Sequence, residues 1–289
     1  MVKLGTPKAK HPAEIARSII EAAEQCRAAV RGFGTVRALA AAVPATINAA
    51  DGIILKSPNV PALDGFRFSS IISNELSLPV ILENDANAAA IGEHAFGAAK
   101  NFQNAVIVTL GTGVGGGIII NGNILRGING TAGEIGHICV EQFGAPCGCG
   151  SVGCLEQYAS ATAIVRLVRE LADEYPNSVL RAAETQMTSF AVYQAGIAGD
   201  ELALEVFRRM GFYLGAALAD LVNVLNPEVI VIGGGASAAW DLFIKHMREQ
   251  IRRHAFREPG ETVKVVRASL GDDRAGILGA SKLAFDQMF

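Results

Sequence analysis

The chain has 289 residues, 50% of them hydrophobic and 18% charged, with a formal net charge of −3, a length and apolar content that allow a sizeable core and roughly two domains. The small negative charge leaves no basic footprint for nucleic-acid binding and no Lys/Arg run for a membrane surface, so a metabolite is the expected partner. No window offers the roughly 20 uninterrupted apolar residues of a membrane span, and Lys3, Lys8 and Lys10 are followed by Glu14, Arg17 and Glu21 rather than by the apolar run of an export signal, which points to the cytoplasm.

Residues 12–30 carry an amphipathic helical pattern with Ile15, Ile19, Ala23, Cys26 and Val30 on one stripe. Residues 36–43 read as a short buried strand, or a helix end followed by a strand, stopped at Pro44. Residues 48–52 and 57–65 hold proline, asparagine and glycine at loop density. A helix is predicted over 66–76, then a compact apolar strand over 79–82 that ends at Glu83, Asn84 and Asp85, then an alanine-rich helix. From Ala105, AVIVTL and GGGIIING predict two buried strands joined through a glycine turn. Helices follow over 162–174 and 201–225, the second apolar on more than one face, as in a helix at a domain or subunit interface. The strand VIVIGGG, a helix over 238–254, a strand over 262–268 and a helix over 274–285 complete the chain. Strands alternating with helices predict an α/β architecture.

The segment TAGEIGHICVEQFGAPCGCGSVGCLE, residues 131–156, carries the strongest chemical signal. His137, Cys147, Cys149 and Cys154 form a Cys3His set of the kind that binds structural zinc, and the interspersed glycines let the backbone fold tightly enough for the sulfurs to converge. A disulfide reading would leave one thiol of the three over, and the chain carries no export signal. Cys26, on a helical stripe, and Cys139, after Ile138 in a strand-like stretch, are expected to be small core residues. His11, His94, His246 and His254 lack partners at useful spacing and read as solvated or helix-face residues.

Four features leave two readings each. Gly111 to Gly117, GTGVGGG, has the spacing of a dinucleotide fingerprint, but Ile118, Ile119 and Ile120 favour a strand where that motif needs a helix. It is read as a hairpin, either plain or presenting backbone N–H groups and the Thr112 hydroxyl to phosphate. Gly233, Gly234 and Gly235 stand between strand and helix, as a nucleotide approach or a tight turn. Asp85, where a strand ends and a helix begins, is either a catalytic base or the helix N-cap. Glu134 and Glu156 flank the metal ligands and are either sugar-hydroxyl acceptors or surface acids.

Taken together, SPNVP at 57–61, ENDANAAAIGE at 83–93, LGTGVGGG at 110–117, GEIGH at 133–137, CGCGSVGCLE at 147–156 and VIGGG at 231–235 resemble the ROK family of sugar kinases and repressors, most closely its bacterial glucokinases. The resemblance implies an actin-like ATPase (ribonuclease H-like) fold of two α/β domains around a cleft. It places a small domain at 1–100, completed by a C-terminal helix at 274–289, and a large domain with the zinc knuckle at 101–273. It also implies ATP with magnesium, a hexose (glucose first, with N-acetylmannosamine, N-acetylglucosamine, allose or fructose as alternatives), structural zinc and a homodimer. Asp85 would be the base. Asn59, Asn84, Glu134, His137 and Glu156 would contact the sugar, Thr112 and Gly113 the phosphates, and Gly233 to Gly235 would lie near the adenosine.

Members of the family open with a strand, an Asp-x-Gly-Gly-Thr turn and a second strand, for which this sequence has no counterpart. MVKLGTPKAK resembles the end of the family's third strand running into its first helix. The expectation is a truncated or mis-started reading frame lacking approximately 30 residues, with impaired activity and with the helix faces around Ile15 and Ile19 partly uncovered. A sugar sensor without turnover and a zinc-stapled structural subunit are the alternatives from other classes.

Overall fold

A computed structural model describes residues 11–182 and 187–288; the reading of residues 1–10 as a strand end lies outside them. Pro12 opens α1 (Pro12–Ala29), where its missing N–H is no loss. The chain continues through β1 (Leu39–Val43), the antiparallel pair β2 (Thr46–Asn48) and β3 (Ile53–Lys56), α2 (Phe68–Leu76), β4 (Val80–Asn84) and α3 (Asp85–Phe96). β1 and β4 form a two-stranded parallel sheet in which Leu39 faces Val80 and Val43 faces Asn84. Ile15, Ile47, Ile54, Phe68, Ile72 and Leu82 make up the core on this side.

The next strands are β5 (Ala105–Leu110), β6 (Val114–Ile120), β7 (Asn123–Ile124), β8 (Val229–Gly233) and β9 (Lys264–Arg267). They form one sheet in the order β7-β6-β5-β8-β9, antiparallel from β5 to β7 and parallel from β5 through β8 to β9. β5 is buried at nearly every position, which is why AVIVTL runs apolar without alternation. The helices α4 (Glu156–Ala159), α5 (Ala161–Leu171), α6 (Ser189–Ile197), α7 (Glu201–Leu225), α8 (Trp240–His254) and α9 (Arg257–Thr262) belong to this part. Asp200 caps α7 by accepting the Ala203 N–H at 3.0 Å, and Asn226 ends it in a left-handed conformation, φ 44°, just before Pro227. α7 packs on α8 so closely that a Cβ at Gly211 would lie 2.5 Å from the Phe243 carbonyl oxygen. The many apolar faces of α7 thus serve the core of this sheet, with Leu204, Phe212 and Val224 left at the surface.

The last helix, α10 (Asp272–Met288), returns to pack on α3, β1 and β4. A Cβ at Gly279 would stand 1.7 Å from the Ala88 carbonyl oxygen, and one at Gly92 would stand 2.1 Å from that of Ala275. The two helices therefore touch backbone to backbone. Gly279→Ala is expected to force them apart and cost about 1–3 kcal/mol in urea unfolding, as overpacking does elsewhere; an unchanged unfolding midpoint would contradict this contact.

Several local expectations need correction. Cys26 and Cys139 are both exposed rather than core. Cys139 makes only an isolated bridge to Cys154, because the knuckle's glycine turns prevent a continuous strand. Cys26 instead borders an open groove of about 660 Å³ between α1, β1 and α10, shared with Ile19, Val30, Leu39 and Ile277. Ile15 is buried, so the uncovered face begins only at Ile19. The helix expected from residue 66 starts at Phe68, and the one expected to reach 174 ends at Leu171 with a 3₁₀ turn beyond it. No helix among the described residues is long and apolar enough to cross a membrane.

Candidate active site

Asp85 stands at the first turn of α3, where β4 ends. The cap that opens this helix is Asn84: its Oδ1 accepts the N–H groups of Ala86 at 2.9 Å and Asn87 at 3.1 Å, while its Nδ2 donates to the Ala45 carbonyl at 3.2 Å. Asn84 thus takes the cap, and the Asp85 carboxylate is left facing the cleft with one short-range bond, from the Ala86 N–H. Asp85 is accessible but stands between walls that withdraw bulk water, and this desolvation raises its carboxyl above the ordinary aspartate value against the lowering pull of the Ala86 and Asp85 N–H groups. Asn84, by contrast, has one amide hydrogen left for a ligand.

The cavity beside Asp85 measures about 500 Å³ and brings together groups from far apart in sequence. Asn59 comes from the loop after β3, which is closed by Asp64 accepting the Ser57 N–H at 2.8 Å and pairing with Lys56 at 2.8 Å. Those two contacts, Lys56 first, hold the Asp64 carboxyl below its usual range. Thr112 and Gly113 form the tip between β5 and β6, and Gly233 ends β8, on the other side of β5, with Gly234 and Gly235 just beyond it. Glu134, His137 and Glu156 also line it. Asn84 opens instead into an adjoining cavity of about 720 Å³ that shares Asp85, Glu134 and His137.

The glycines divide into two jobs. Gly111 to Gly113 make the turn, whereas Gly115 to Gly117 are strand residues against which α3 and Ile135 pack: a Cβ at Gly117 would meet Ala90 Cβ at 2.3 Å, and one at Gly116 would meet Ile135 at 2.4 Å. Gly234 has φ 85°, and a Cβ there would lie 2.3 Å from the Leu110 nitrogen, so it is required as a turn as well as lining the cavity. Glu156 is not a free surface acid. Its Oε2 accepts the Val114 N–H at 3.2 Å, tying the knuckle to the glycine hairpin.

His137, Cys147, Cys149 and Cys154 converge, with their ligand atoms all within 4.8 Å of one another. Cys147 Sγ lies 3.7 Å from His137 Nδ1, and Cys149 Sγ lies 3.7 Å from Cys154 Sγ. A tetrahedron built on zinc–sulfur bonds of about 2.3 Å has edges of about 3.8 Å, so the donor set fits that ion. With Nδ1 toward the sulfurs, His137 turns Nε2 toward Glu134, 3.9 Å from its Oε2. Burial, then the neighbouring thiols, push the Cys154 thiol up to about 12, while the Ser151 N–H and then Cys147 hold Cys149 below its ordinary value. Tyr158 and Tyr213 stack at 4.1 Å beneath the knuckle, and the Tyr158 hydroxyl accepts the Ala145 N–H at 2.9 Å.

Sequence reasoning passed over two buried carboxylates. Glu83, directly before Asn84, accepts Arg126 Nε at 3.0 Å and Nη2 at 2.7 Å, and also the Asn84 N–H and Asn87 Nδ2. Glu93 lies at the other end of α3. Their signal was present as two acids in an otherwise apolar stretch, but only the fold shows their partners.

Two α/β bodies, each on parallel strands, with a glycine hairpin and a strand-end carboxylate facing one cleft, define the actin-like ATPase class of fold. Comparison with known proteins narrows this further. The family model "ROK family" matches residues 2–287. The chain is 44% identical over 248 residues to a glucokinase of Halalkalibacterium halodurans, covering 84% of this chain and 74% of that protein. A ROK family glucokinase from Streptomyces griseus, solved with glucose and AMPPNP, superposes with a TM-score of 0.82 at 34% identity over 98% of this chain and 90% of that one. A ROK family transcriptional regulator, a homolog of the E. coli MLC protein, gives 0.84 at 30% identity over 92% of this chain and 67% of its own. The chain belongs to the ROK family.

Proposed function

We propose that the protein phosphorylates glucose to glucose 6-phosphate with ATP, Asp85 acting as general base. The observation that carries this is the single cavity in which Asp85, the Thr112–Gly113 tip, Gly233 to Gly235 and the knuckle residues Glu134, His137 and Glu156 meet. A sugar held by Asn59, Glu134, His137 Nε2 and Glu156, with the remaining Asn84 amide hydrogen, would present a hydroxyl to Asp85. Asp85 takes its proton as the γ-phosphoryl moves in line from the side of the glycine hairpin, where backbone N–H groups and the Thr112 hydroxyl offset charge on the transferring oxygens. Magnesium would arrive with the nucleotide and supply further charge neutralisation, held chiefly by phosphates and water. His137, Cys147, Cys149 and Cys154 would hold zinc, which would supply rigidity and so help to keep Glu134, His137 and Glu156 in position.

The two sheets with their separate cores are read as the small and large lobes of the cleft, and closure would exclude the water that competes for the phosphoryl group. Exposed Phe143 and Phe212 support a homodimer, and a cytoplasmic location accompanies this reading. The test is ATP-dependent phosphorylation across a hexose panel including N-acetylmannosamine, N-acetylglucosamine, allose and fructose. Turnover greatest on glucose is expected. Sugar binding without turnover on any member would favour the second reading, a sugar sensor, which the likeness to a transcriptional regulator supports. Glu156→Gln weakens both the sugar contact and the Val114 bond, and is expected to raise KM for glucose by about 10-fold or more; an unchanged KM would remove Glu156 from the sugar site.

A further inference from the structure

Phosphoryl transfer as set out above gives no part to the ion pair of Glu83 and Arg126. Glu83 is buried, and its two oxygens are divided between two segments. Oε1 accepts the Asn84 N–H at 3.0 Å and Asn87 Nδ2 at 3.1 Å, both on the turn that carries Asp85. The Oδ1 of the buried Asn87 has no protein partner, so the bond to Glu83 is what anchors that amide. Oε2 accepts Arg126 Nε at 3.0 Å and Nη2 at 2.7 Å. Most ion pairs among the described residues join side chains three or four positions apart, whereas this one joins segments 43 positions apart and so fixes a tertiary relation.

Arg126 opens the segment 126–133, which leads from the end of β7 toward Glu134. Gly127 and Gly130 have φ of 67° and 84°, so the path of this segment depends on its anchors more than on local propensity. Two of those anchors are on Arg126: its carbonyl accepts the Ala132 N–H at 3.1 Å, and its guanidinium is held by Glu83. Gly130, Thr131 and Ala132 wall the cavity of about 720 Å³ that Asn84, Asp85 and Asn87 also line. With one oxygen Glu83 therefore grips the turn that bears the base, and with the other it grips the segment that walls the adjoining cavity. A guanidinium fork suits this place because it fixes an orientation as well as offsetting a buried charge.

We propose that Arg126 is a positioning residue: held by Glu83, it sets the wall formed by residues 130–132 against Asn84 and Asp85, so that a hexose hydroxyl meets the base. The inference rests on the sugar-kinase reading of the cleft. Arg126→Ala is expected to raise KM for glucose and to lower kcat, each by about 10-fold or more, because a small misplacement of the sugar is felt in both. Arg126→Lys keeps the charge without the fork, should fall between the parent and the alanine variant, and serves as the test if the latter does not fold. The Arg126 side chain is 37% exposed and shares with Glu83 a hollow of about 350 Å³, which gives a small cation a way in. Guanidinium ion at millimolar concentration should therefore restore KM and kcat toward the parent in Arg126→Ala and not in Glu83→Gln. The double variant Glu83→Gln/Arg126→Ala should lose no more than the worse single variant, since both break the same tie.

Kinetics are measured well below each variant's melting temperature, with zinc content checked. A lowered melting temperature with parental KM and kcat would overturn the proposal and leave the pair a structural one. So would losses that add in the double variant, or losses in Arg126→Ala that guanidinium does not relieve. A parent that binds glucose but phosphorylates no hexose would sink the kinase reading. Glucose titration of the same variants, with and without guanidinium, then still decides whether Arg126 positions the sugar.

Discussion

Replacing Asp85 by Asn should abolish phosphorylation while leaving sugar binding within a few-fold of the parent. Loss of a positioned general base removes about 10²–10⁴-fold in kcat, whereas the amide keeps the size of the side chain and an acceptor oxygen toward the Ala86 N–H. Isothermal titration with glucose, alongside a coupled ATP assay, separates the two effects. Retained turnover would displace Asp85 as the base, and lost affinity with retained kcat would make it a binding group only. The raised carboxyl of Asp85 has two consequences for pH. A base must be ionised to act, so the acidic limb of kcat/KM should lie above the ordinary aspartate value of about 4. In stability the native protein holds the Asp85 proton more tightly than the unfolded chain does, so this group's contribution is full below the unfolded value and is lost as pH rises through the folded one. Asp85→Asn should therefore unfold at higher temperature than the parent near neutral pH and lose that advantage at about pH 3, below the unfolded value.

Stripping zinc, or making Cys154→Ser, should lower glucose affinity first and by the larger factor. The fully buried Cys154 lies two residues before Glu156, and His137 lies three after Glu134, so relaxing the knuckle releases all three proposed sugar contacts at once. A loss of about 10–100-fold is in line with what disturbed support around a metal site costs. The nucleotide side should not be untouched, because Glu156 accepts the Val114 N–H beside the glycine hairpin. A smaller loss of AMPPNP affinity is expected, read by titration with the metal quantified by mass spectrometry. Parental glucose affinity in metal-free protein would show that the knuckle holds nothing the sugar needs.

The sequence carried most elements within a few residues. Apolar runs such as AVIVTL and VIVIGGG are strands whatever surrounds them, and the 201–225 helix matched α7 at both ends because a cap residue and an Asn-Pro break are local signals. The metal set was legible for the same reason, since ligand type and spacing are written along the chain. Cys26 was misjudged because a helical stripe says which face is apolar but not whether anything covers it. The triple glycine at 115–117 was placed in the strand GGGIIING, but the reason for its glycines, the close approach of α3, is a contact between segments about 30 residues apart.

By itself, then, the sequence determined the α/β architecture, the candidate metal-ligand set and the candidate acids, since each depends on residue type and short spacing. Only the tertiary structure decided between paired readings. It made Asn84 the cap and left Asp85 to the cleft, tied Glu156 to the hairpin, and joined Glu93 to donors 176 and 177 residues away. Hydrogen-bond partners are chosen by proximity after folding, and proximity between distant segments is set by how sheets and helices pack, which no local pattern encodes.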